Sequence, residues 1–160
     1  MCWQCDHPGS TWDDFIDHVS ELIAEYGWIV QGIKRDRAHP PWAYTVGLTA
    51  LNKPEVVVTG MRTGDAVDLL NDVAYHLTHA DPPRHGEQIP WPGRALFEVV
   101  RVAEPTAHLN VAASIYGPRV QAIQLVHADD RGHWPWDVGW RGMRGGQPVL
   151  GARAPQAVTT

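Results

Sequence analysis

The chain has 160 residues, 44% of them apolar and 19% charged, with a formal net charge of −5. This length and composition suit one folded domain with a real core and exclude a disordered chain. The negative balance excludes a histone-like binder of nucleic acid, because no global attraction to phosphate exists.

Taken in chain order, residues 1–9 form a Cys/His head, and a helix follows to Tyr26. Ser10 or Thr11 supplies its cap, and Asp13 and Asp14 sit in the first turn, where the helix dipole favours negative charge. Trp12, Phe15, Val19, Leu22, Ile23 and Tyr26 repeat at helical spacing, and Gly27 supplies the stop. Residues 28–34 read as a strand and 35–42 as a proline-broken loop. Residues 43–49 and 55–60 read as two strands joined around Asn52 and Pro54. Thr63 is expected to cap a second helix running to about His79, with Ala66, Leu69, Leu70, Val73 and Leu77 facing inward. A proline-rich loop (80–93) precedes a strand over 95–103, a short helix over 106–116 and a last strand over 120–129.

From Arg131 onward the chain is rich in Gly, Trp and Arg, with Arg131, Arg141, Arg144 and Arg153 set against Asp137. No βαβ rhythm is present. The expected fold is therefore α+β, a mainly antiparallel sheet of about five strands packed with two to three helices. The expected division is a metal-binding head at 1–9, one α+β domain at 10–150 and a flexible tail at 151–160. No apolar run approaches the roughly 20 residues of a membrane span. A basic, greasy leader is also missing at the start, so the reading is cytoplasmic, with no membrane partner.

The first chemistry-bearing motif is MCWQCDHPG. Cys2 and Cys5 are the only cysteines, and His7 follows two residues after the second. A Cys-x-x-Cys knuckle lets two thiolates meet one tetrahedral ion, and zinc accepts mixed sulfur and nitrogen ligands. The expected metal ligands are Cys2, Cys5 and His7, with His127 as the fourth and His79 as its alternative. An idle, frayed terminus is the bland alternative. A redox pair is a weaker one, because such pairs usually open a helix after a strand.

The second constellation, LVHADDRGHWPWD, brings His127, Asp129, Asp130, His133 and Asp137 into 13 residues. It suits a divalent cation or acid–base work, yet Asp-Asp-Arg-Gly is also a plain turn after a strand. Nucleophilic catalysis has thin support: no G-x-S-x-G elbow and no P-loop is present. Trp140, Arg141 and Arg144 are the candidate contact for an acidic partner such as ribosomal RNA, since Trp and Arg favour interfaces. Direct sequence-specific DNA binding is not expected.

YTVGL (44–48), PEVVVTG (54–60) and QLVHADDRGHWPWD (124–137) resemble, in order, a bacterial family catalogued as a domain of unknown function. The head MCWQCDHPG resembles its actinobacterial branch. The chain also resembles the mycobacterial protein Y recruitment factors of ribosome hibernation. That resemblance implies a zinc-responsive, stress-linked adaptor acting at the small ribosomal subunit with a hibernation factor. The leading expectation is such an adaptor, not an enzyme. The alternatives are a zinc-dependent hydrolase, with an open metal position and Asp129 or Asp130 as base, and a thiol redox protein using Cys2 and Cys5.

Overall fold

A capping box starts the longest N-terminal helix. The computed structural model describes residues 3–34, 36–94 and 96–155. Within it, α1 is a single turn (Trp3–Asp6) and α2 runs Trp12–Tyr26. Thr11 Oγ1 accepts from the Asp14 N–H at 3.1 Å, and Asp14 returns the bond to the Thr11 N–H at 2.8 Å. At the other end Gly27 takes φ +93°, a conformation that disfavours any side chain, and its N–H bonds to the Ile23 carbonyl.

The strands are β1 (Ile29–Ile33), β2 (Trp42–Val46), β3 (Glu55–Thr59), β4 (Gln88–Pro90), β5 (Leu96–Arg101) and β6 (Ala122–His127). Helix α3 (Thr63–Leu77) follows β3, while α4 (Pro105–His108) and α5 (Asn110–Tyr116) precede β6. The fold is α+β. One six-stranded sheet has the order β1-β2-β3-β6-β5-β4, antiparallel throughout except where β6 lies parallel beside β3.

Side chains alternate across the sheet, so two cores form. Val56, Val58, Phe97, Val99, Ile123 and Leu125 meet α3 on one face. Tyr44, Val46 and Val57 meet α2 and α5 on the other. All five residues of β3 are buried, as a strand covered on both faces must be. The Tyr44 hydroxyl accepts from the Val111 N–H at 3.0 Å and ties α5 to the sheet; burial pushes its pKa up to about 12.

Three details depart from the sequence reading. Arg62, not Thr63, is the N-cap of α3, and no side chain caps it. Thr63 instead begins the helix, with its methyl against Gly32. A short sixth strand, β4, emerges from the proline loop. The third departure is at the C-terminus, where residues after 147 are strapped across the sheet. Gln124 Nε2 donates to the Pro148 carbonyl at 2.8 Å, and the Leu150 N–H donates to Gln124 Oε1 at 2.7 Å. Arg153 grips the buried Glu98 through Nε (3.0 Å) and Nη2 (3.2 Å) and lies 4.2 Å over the Trp136 ring. The chain expected to loosen at 151 is thus anchored through Arg153, while 156–160 lie outside the described residues. Gly60, at φ +65°, admits this strap: a Cβ there would stand 2.5 Å from the Gly146 carbonyl.

Candidate functional site: the N-terminal turn

A four-residue helix has too few hydrogen bonds to stand alone in water. Here α1 is held by Trp3, whose indole stacks with two imidazoles. His7 stacks on it at 4.3 Å and His18 of α2 at 4.9 Å. Phe15 closes the stack edge at 6.0 Å. His18, off the apolar stripe of α2, therefore serves as a docking plate for the head.

The tautomer of His7 follows from its partner. Its Nδ1 lies 2.8 Å from the Trp3 carbonyl oxygen. A carbonyl only accepts, so Nδ1 carries the proton and donates. The lone pair is then on Nε2, at the open end of the ring. A backbone carbonyl holding one imidazole nitrogen while the other faces outward is the usual support of a metal-ligating histidine. Cys5 is exposed on the same turn and lines a cleft of about 660 Å3 between α1, α2 and β1. Among the described residues no three His, Cys, Asp or Glu side chains converge; Cys2 lies outside them.

The two expected fourth ligands are not brought to this head. His127 ends β6, which β2 and β3 separate from β1, a span of about 14 Å at the usual strand spacing. Its Nε2 sits 3.3 Å from the Thr59 carbonyl, and burial pushes its pKa down. His79 follows α3, which covers the opposite face of the sheet from α2; its Nδ1 contacts the Thr78 hydroxyl and the Tyr75 carbonyl.

The Asp129 region is a tied turn. Asp129 Oδ1 accepts from the N–H groups of Arg131 and His133, and Oδ2 from that of Arg141, each at 2.9 Å. Burial opposes the charge, but these three donors outweigh it and hold the carboxyl at about 2. A carboxylate so occupied is a poor base at neutral pH. Trp134 and Trp136 stack at 5.5 Å beneath Arg153. Trp140 is half-buried, and Arg141 and Arg144 are exposed.

Sequence reasoning missed a buried acid. Glu55 is fully buried, and its Oε1 accepts from Thr45 Oγ1 and the Leu48 N–H. Its Oε2 accepts from the Gly47 and Thr49 N–H groups and from Thr49 Oγ1. The segments YTVGL and PEVVVTG thus meet in one nest of donors that pins the β2–β3 connection. The signal was a charged residue opening an otherwise apolar strand.

No curated protein and no solved structure matches the chain. The profile of the family described as a domain of unknown function, DUF4262, matches residues 22–141. That span holds both halves of the Glu55 nest and the Asp129 turn, while the head lies before it. The chain belongs to the DUF4262 family.

Proposed function

We propose that this chain is a zinc-binding adaptor whose metal-loaded N-terminal turn controls a partner surface. The observation that carries the reading is the His7 tautomer: Nδ1–H is spent on the Trp3 carbonyl, leaving Nε2 able to coordinate. Cys5 on the same turn and Cys2 before it would supply thiolates, and water or a partner's side chain would take the fourth position. When bound, zinc supplies a fixed crosslink, and its binding energy becomes folding energy for the head. The chain's own part is to hold His7 in the right tautomer and to dock α1 on His18 through Trp3. Zinc loss then leaves α1 held only by the contacts of Trp3 with His7, His18 and Phe15, and its cleft on α2 and β1 opens. The resemblance of the chain to the recruitment factors of ribosome hibernation points to the small ribosomal subunit as the partner, with Arg141 and Arg144 as exposed cations for ribosomal RNA.

The test is elemental analysis of purified protein, followed by ribosome pull-down from zinc-replete and zinc-starved cells. One zinc per chain is expected, lost in Cys5→Ser and His7→Gln with the thermal midpoint of the body unchanged, and ribosome capture should differ between the two growth states. Protein without stoichiometric zinc refutes the metal reading; capture indifferent to zinc and to both substitutions refutes the adaptor role.

A further inference from the structure

A second site lies at the far end of the sheet, where β3 and β6 begin and β5 finishes. A cleft of about 880 Å3 opens there between the proline loop after α3 and the start of α4. Its polar lining is Arg84, His85, Arg101, Asn52 and Gln121, and no carboxylate lines it. In a chain with 18 acidic against 13 basic residues that lining is locally basic, and the nearby Glu87 carboxylate is turned onto the Arg84 N–H at 2.9 Å. Among the described residues neither guanidinium pairs with a carboxylate, whereas Arg62 pairs with Asp65 and Arg153 with Glu98.

Backbone geometry fixes the third group. The Arg101 N–H donates to His85 Nδ1 at 2.9 Å. An amide N–H cannot accept, so Nδ1 holds the lone pair and the ring proton sits on Nε2. The imidazole is therefore held as a donor through Nε2, whatever the side chain of Arg101 does. Pairing of the Gly86 N–H with the Val99 carbonyl (2.7 Å), and of the Val99 N–H with the Glu87 carbonyl (2.9 Å), locks the loop that carries Arg84 and His85 along β5. Pro82, Pro83 and Pro105 make the apolar walls, and their fixed φ keeps the shape without a ligand.

We propose that this cleft binds a small phosphorylated molecule of mononucleotide size. Two guanidinium forks and an imidazole N–H match the terminal oxygens of a phosphate ester. The proline walls cover the planar remainder, and the Asn52 and Gln121 amides meet its polar edge. The volume lies in the range of small-molecule sites. A single-stranded nucleic acid is the poorer occupant, because such tracks use aromatic stacking platforms and no Phe, Tyr or Trp lines this cleft.

The experiment titrates the full chain with AMP, GMP, pyrophosphate, adenosine and a short single-stranded RNA, read by calorimetry and by amide NMR shifts. AMP or GMP should bind with a dissociation constant below about 1 mM, shifting the amides of His85 and Arg101, while adenosine does not. Arg84→Ala and Arg101→Ala should each weaken binding by roughly tenfold or more. Both side chains are exposed, and the His85 bond uses the Arg101 backbone, so the melting temperature should hold. A dissociation constant above about 1 mM for both nucleotides overturns the proposal. So does an affinity unchanged in the double variant, or binding by the RNA alone.

Discussion

Replacing Glu55 by Gln tests whether the donor nest requires a carboxylate. Five donors converge on the two oxygens, and three of them are backbone amides fixed by the turn at 47–49. Glutamine offers one oxygen. With its NH2 on the Oε2 side, it opposes the amides of Gly47 and Thr49. On the Oε1 side it opposes the Leu48 amide and the Thr45 hydroxyl, and a hydroxyl can turn away. The better placement therefore leaves one buried amide without an acceptor and removes the charge assistance, a cost of about 2–4 kcal/mol. Burial pushes the Glu55 carboxyl above its usual range, with the Thr49 and Thr45 hydroxyls and the Thr49 and Leu48 amides pulling the other way. Relief of that burial offsets part of the cost, leaving roughly 2 kcal/mol. For a domain of this size the melting temperature should fall by about 4–8 °C. Glu55→Ala strands all three amides and opens a cavity, so its loss should be at least about twice as large. The assay is calorimetric melting at pH 7. A Gln variant within about 1 °C of the parent, or an Ala variant no worse than Gln, refutes the nest.

Removing the clasp residue Arg153 should cost about 2–3 kcal/mol in urea unfolding, below the value for a fully buried pair because its side chain is 31% exposed. Among the described residues Glu98, 1% exposed, would keep only Gln88 Nε2 as a side-chain partner. If Arg153→Ala stays within about 0.5 kcal/mol of the parent, the strap is decorative. His127 predicts a pH slope. Burial holds its folded pKa below 6.5, with bonds at Thr59 and Ala128 opposing, so the unfolded chain takes up a proton first as pH falls. Stability is intact above pH 6.5 and is lost below it, toward the folded pKa. His127→Gln should flatten the denaturation midpoint between pH 7 and pH 5. Asp129 adds nothing in that window, since its share is lost only below its ordinary 3.8. Equal slopes in parent and variant would show that another group sets the dependence.

Helix α2 was legible because its signals are local: a cap at Ser10 or Thr11, acidic residues in the first turn, an apolar stripe and Gly27 all act within a few residues. The apolar runs of β2, β3 and β6 were legible for the same reason. Strand β4 was not, since it has three residues and ends at Pro90, and only pairing with β5 makes it a strand. In the head, the order Cys-x-x-Cys-x-His was plain, but nothing local announces that His18 would back Trp3 from the next helix. The Arg84–His85–Arg101 cleft joins a loop to a strand end 16 residues on through one backbone bond. No motif spacing encodes that contact.

The amino-acid order by itself determined where α2, α3 and the longer strands lie, that the chain is α+β, and which residue types at the N-terminus suit zinc. Tertiary structure alone decided that β6 inserts parallel beside β3, that His127 sits strands away from the head, and that Gln124, Glu98 and Arg153 strap the C-terminal segment down. The reason is range. Caps and periodicity are settled by neighbours along the chain, whereas strand order and buried polar pairing are settled by which groups lose water together once the whole sheet closes.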